Sequence, residues 1–180
     1  MVRMPAAAPK PRAASARPPK SAAQRTRAAA RSTARLAAVQ ALYQREMEPL
    51  ATPALLHQFH AHRLHEAMEI DDGDEAELTP PDRAFFDDLV AGADARAGEI
   101  DALIAAHLAP GWSLERLDRP LRAILRLGVY ELLARADIPV GAVITEYLDV
   151  GHAFYDRRET GFVNGLLDAV GKAVRPQPGK

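Results

Sequence analysis

The chain has 180 residues, 48% hydrophobic and 6% aromatic, which is enough apolar material for one domain with a substantial core. It contains no cysteine, which excludes a disulfide scaffold, thiolate zinc sites and cysteine nucleophiles and fits a reducing, cytoplasmic setting. The net charge of −1 hides a split: nine of the 23 basic residues lie in the first 35 positions, which hold no acid, so that segment carries +9 and the remainder −10; such an asymmetry points to a polyanionic partner, most often nucleic acid.

Residues 1–24 are rich in Pro, Ala, Ser and basic residues, with five prolines in the first twenty positions. They are expected to form a disordered basic arm, because that proline density forbids a continuous helix and argues against a transit peptide. No apolar run suits a secretory signal or reaches the ~18 residues of a membrane span. From Arg25 the sequence "RTRAAARSTARLAAVQALYQREM" predicts a helix, with Leu36, Val39, Tyr43 and Met47 on one face. Arg27, Arg31 and Arg35 stand at i, i+4 and i+8, a basic stripe if the helix reaches that far back. Pro49 and Pro53 punctuate it. Residues 54–69 predict a second helix with Leu56, Phe59, Leu64, Ala67 and Met68 inward, followed by an acidic loop.

Thr79 is the expected N-cap of a third helix that buries Phe86, Leu89, Val90 and Ala93. Gly98 should interrupt it before a fourth helix with Ile100, Leu103, Ile104 and Leu108 inward. A connector holding the only tryptophan leads to Asp118, the expected cap of a helix with Pro120 in its first turn. Leu117, Leu121, Ile124, Leu125, Gly128 and Leu132 mark that helix as central to the core. Pro139 opens the next, with Val140, Val143, Ile144, Tyr147 and Phe154 inward.

The last stretch, "RRETGFVNGLLDAVG", contains an Asn164-Gly165 pair that elsewhere signals a hairpin. Strand alternation is missing, and Phe162, Val163, Leu166, Leu167, Val170 and Val174 fit a period of 3.6, so a helix from about Thr160 to Val174 is expected. Gly161 and Gly165 cost about 1 kcal/mol each against alanine in a helix. Either something approaches closely there, or Gly161 precedes the helix and Gly165 is a tolerated defect. The whole predicts an all-α domain over 25–176, in subdomains of about 25–97 and 98–176.

No enzymatic or metal site emerges. His57, His60, His62 and His65 contain no i, i+4 pair, the zinc-binding spacing on a helix. The acidic loop lacks calcium-loop spacing, no Gly-rich loop follows a strand, and Asp87 and Asp88 point to different sides of a helix. The expectation is a non-catalytic chain without cofactor.

The blocks "ARSTARLAAVQALYQ", "LDRPLRAILRLGVYELL", "IPVGAVITEYLDVGHAF" and "TGFVNGLLDAV", in that order from about Arg31 to Val174, resemble the NusB family of bacterial transcription antitermination factors. The resemblance implies about seven helices in two helical-bundle subdomains. It also implies binding to the single-stranded boxA element of nascent ribosomal RNA transcripts with the ribosomal protein NusE, in the antitermination complex with RNA polymerase. A homodimer is open, since some relatives self-associate. The family's arginine-rich motif falls on Arg31 and Arg35; members often carry further arginines where this chain has Ser32 and Thr33, and Arg25 and Arg27 offer the missing charge. Phe162 matches an aromatic that helps hold RNA, and Tyr43 a position at the protein-partner surface. By its wheel position Phe162 also suits the core. Arg157 and Arg158 could join an anion site at the last helix or form a solvated pair. Two rival readings are the NusB-like N-terminal region of an RNA cytosine methyltransferase, disfavoured by the lack of a following catalytic domain, and a purely structural helical module.

Overall fold

A computed structural model describes residues 21–64 and 79–176. Among them are seven α-helices and no strand: α1 (Ala22–Met47), α2 (Thr52–Gln58), α3 (Arg83–Ala95), α4 (Ala97–His107), α5 (Arg119–Ala134), α6 (Val140–His152) and α7 (Arg157–Val174). The acidic loop, His65, Ala67, Met68 and residues 1–20 of the expected arm lie outside the described residues.

α1 starts earlier than periodicity suggested. Ser21 and Gln24 form a capping box: the Ser21 hydroxyl accepts from the Gln24 amide, and the Ser21 amide donates to Gln24 Oε1. Positions 21–24, expected in the arm, are therefore cap and first turn. The buried face of α1 is also shifted. Ala34, Ala38, Ala41, Val39 and Leu42 are enclosed, whereas Tyr43 is 39% and Met47 55% exposed. The small alanines bring this helix's backbone close to α3 and α5, its main packing partners.

α2 buries Leu55, with the expected Leu56 half-buried against the core, and continues into a π-helical turn, Phe59–Arg63. Phe59, at the start of that turn, stacks on Phe86 of α3, ring centroids 5.6 Å apart. The cap of α3 is Asp82, whose carboxylate accepts from the Phe85 amide at 3.0 Å, three residues beyond the expected Thr79. The break between α3 and α4 falls at Arg96; Gly98 lies inside α4.

α5 is the hub. Leu121, Ile124, Leu125, Leu127, Val129 and Leu132 are all buried, so apolar contact surrounds much of the helix. At Gly128 an added Cβ would stand 2.9 Å from Leu167, so glycine permits α7 to lie close against α5. Val163, Leu166, Leu167 and Val170 of α7 fill that contact. Phe154, expected inward, follows the end of α6 and is 46% exposed.

Ion pairs tie the helices across the core's rim. Glu46 of α1 accepts from Arg122 and Arg126 of α5, and Arg126 makes a two-point pair with Asp101 of α4. Arg175 donates to the carbonyls of Glu131, Leu132 and Ile138, closing the C-terminal end of α5.

Candidate nucleic-acid interface

Arg25, Arg27, Arg31 and Arg35 of α1 do not share one environment. Arg25 and Arg27 are exposed. Arg31 is 18% exposed, lies 4.9 Å over the Phe85 ring, and has only long ion pairs, 3.9 Å to Asp82 and 3.8 Å to Asp137. Its Nε is enclosed without a hydrogen-bond partner among the described residues.

Arg35 is buried. Its Nε and one terminal nitrogen each donate to Glu131 at 2.8 Å, and the other terminal nitrogen sits 3.1 Å from Glu146. Burial works against its charge, but the hydrogen bonds and charge of Glu131 outweigh that and raise its pKa. The expectation that Arg35 faces RNA is thus corrected: its guanidinium is consumed inside the protein. The cause is helical drift. Each four-residue step turns a stripe by about 40°, so between Arg27 and Arg35 it swings ~80°, from solvent to core.

Beside this stripe lies a cleft of about 390 Å³, lined by Gln24, Arg27, Arg31, Asp137, Ala142 and Glu146 among others. Glu146 also accepts from the Ser32 hydroxyl at 2.5 Å. Asp137 is held below the usual carboxylate range by its hydrogen bonds to Arg135, and remains anionic opposite Arg31.

A second cluster lies beyond the other end of α6. Arg157 and Arg158 are exposed in the first turn of α7. Phe162 is half-buried and lines a cavity of about 550 Å³ with Trp112, Arg116, Asp118, Tyr155, Arg158 and Glu159. It is therefore both a core-edge residue and an accessible one. Tyr155 anchors the floor: its hydroxyl accepts from the Leu121 amide at 3.1 Å and reaches Asp118 at 3.4 Å. Burial pushes that phenol up to about 12, with Asp118 adding to the shift. Among the described residues nothing lies within 4 Å of a Cβ added at Gly161 or Gly165, so no close approach by these residues explains them.

The two clusters are separated by roughly the length of α6, ~20 Å for its 13 residues. Met47 lies toward the second: it contacts Arg119, next to Asp118 of the cavity. Sequence reasoning missed Trp112, Arg116 and Glu159 as lining residues. A lone tryptophan in a Pro-Gly connector was the available signal.

The chain matches the family model described as "NusB family" over residues 32–172. It is 60% identical over 145 residues to the transcription antitermination protein NusB of Sphingopyxis alaskensis, covering 81% of this chain and 94% of that protein. To the protein of the same name from Novosphingobium aromaticivorans it is 60% identical over 146 residues, 81% of this chain and 95% of the other. Among solved structures it resembles the antitermination factors NusB and NusE in complex with double-stranded RNA, with 28% identity, a TM-score of 0.63, and coverage of 83% of this chain and 98% of that one.

Proposed function

Because the chain belongs to the NusB family, we propose that it is a transcription antitermination factor that binds single-stranded boxA RNA of nascent ribosomal transcripts jointly with the ribosomal protein NusE. It is a binding factor and not an enzyme, and it acts in the cytoplasm within the antitermination complex on RNA polymerase. The relatives named as antitermination proteins are matched over nearly their whole length, which favours this reading over the methyltransferase one.

The observation that carries it is the pairing of accessible guanidinium groups with an accessible aromatic. Arg25, Arg27 and half-held Arg31 supply phosphate contacts, and Phe162 beside Arg158 supplies a stacking face. Phosphate contact alone would bind any strand, while stacking and edge contacts select sequence. Tyr43 and Met47, both exposed on α1, suit a protein partner. Joint binding then raises affinity by linkage, because each ligand stabilises the other's site.

The test is a titration of labelled boxA-type single-stranded RNA, and of a duplex of the same sequence, with and without NusE. The expected result is modest binding of the single strand alone, tightened when NusE is present. Absence of binding in both conditions would overturn the proposal, and a preference for the duplex would overturn its single-strand part.

A further inference from the structure

Three guanidinium groups surround one phenyl ring. Those of Arg31, Arg35 and Arg135 stand 4.9, 5.0 and 5.1 Å from the centroid of Phe85, a buried residue in the first turn of α3. The cap of α3 fixes that ring beside α1. The Asp82 carboxylate accepts from the Phe85 amide, and the Asp82 amide donates to the Ala30 carbonyl at 3.0 Å, one residue before Arg31.

The three cations are held differently. Arg35 has its two-point contact with Glu131, and Arg135 donates to Asp88 at 2.8 Å and to Asp137 at 3.0 and 3.2 Å. Carboxylates fix both of them without help from the ring. Arg31 has no hydrogen-bonding carboxylate among the described residues, since Asp82 and Asp137 stand at 3.8–3.9 Å. Phe85 is therefore its main anchor. A guanidinium over an aromatic face is attracted by the ring quadrupole, more strongly where water is excluded. That contact uses none of the N–H donors, which stay available to a phosphate.

We propose that Phe85 is a positioning residue for RNA binding: its ring holds Arg31 at the edge of the α1 cleft with its terminal N–H groups unspent. The inference rests on the reading of Arg31 as a phosphate contact. An aliphatic side chain of similar size fills the space of Phe85 but lacks the quadrupole. Arg31 then closes on Asp82 or Asp137 or samples several rotamers, and a phosphate must break that pair or order the side chain.

The test is a double-mutant cycle, read by anisotropy of boxA-type single-stranded RNA with NusE present and with folding checked by circular dichroism. Phe85→Leu and Phe85→Met should each weaken binding by about 2- to 12-fold, the cost of ordering one long side chain. Their salt slope should match the parent's, because the phosphate contact is retained. In an Arg31→Ala background Phe85→Leu should weaken binding no further. In the parent chain, the Arg31 Nε–H, enclosed from solvent, should show a side-chain NMR resonance shifted upfield by the ring and still shifted in the RNA complex. Equal weakening by Phe85→Leu with and without Arg31, parent affinity in both Phe85 variants, or loss of the shift on binding overturns the positioning role. Parent affinity in Arg31→Ala overturns the phosphate contact itself, and the positioning role with it.

Discussion

Arg35 and Glu131 meet through two parallel N–H···O contacts of 2.8 Å, one residue from α1 and one from α5, and both side chains are buried. The pair joins the basic helix to the hub of the core. Removing one partner leaves a buried charge uncompensated, which costs about 3–5 kcal/mol, whereas replacing both with apolar residues of similar volume is far milder. Arg35→Ala and Glu131→Ala should each lower stability by that amount in urea denaturation. The double change Arg35→Met with Glu131→Leu should recover most of the loss.

Arg31 contrasts with it. Asp137 and Asp82 hold it at 3.8–3.9 Å, beyond hydrogen-bond reach, so its charge is partly opposed and easily redirected. A phosphate must compete with Asp137 for it. Asp137→Asn should tighten RNA binding by about 1.5- to 5-fold, the worth of a partly exposed ion pair. Arg31→Ala should weaken binding and reduce the log–log salt slope by about one. Anisotropy titration across salt concentrations reads both.

These two arginines mark the boundary of what the sequence carries. Period 3.6 located the helices, and the buried stripe of α7 from Val163 to Val170 was legible in full. The same period placed Arg27, Arg31 and Arg35 on one stripe, yet drift around the axis sends the third into the core. That outcome depends on Glu131, 96 positions away, which no local pattern connects to it. The α1 face failed for a related reason: Tyr43 and Met47 fit the apolar period, but alanines allow tighter helix contact and take the interior. The cavity of Phe162 was half legible, since Trp112 and Glu159 join it only through the fold.

Glycine substitutions should separate structural from permissive positions. At Gly92 a Cβ would fall 2.0 Å from the Tyr130 hydroxyl. Gly92→Ala must displace that ring and its 2.9 Å hydrogen bond to Asp88, and should destabilise by about 1–3 kcal/mol. Gly165→Ala meets open space within the chain and should stabilise by about 1 kcal/mol, raising Tm by about 2–4 °C. Thermal melts of the two variants should therefore shift in opposite directions.

Alkaline stability should turn in part on two phenols, buried Tyr130 and half-buried Tyr155, beside the fully buried Tyr147, which is raised further. Burial raises Tyr130 to about 12, with the Asp88 hydrogen bond adding to it, and Tyr155 likewise to about 12. In the unfolded chain both ionise near the ordinary value of about 10. Above that pH the unfolded state binds fewer protons than the native one, so stability falls as pH climbs from 10 toward 12 and is unaffected below 10 by these groups. Tyr155→Phe should flatten part of that decline in denaturation curves recorded across the range.

The most direct measurement is the salt dependence of boxA-type RNA binding in the presence of NusE, for the parent chain and for the double variant Arg27→Ala, Arg31→Ala. The account predicts weaker binding and a log–log slope smaller by about 1.4 in the variant, with the fold retained as checked by circular dichroism. Equal affinity and equal slope for the two proteins would contradict the claim that this edge of α1 meets RNA.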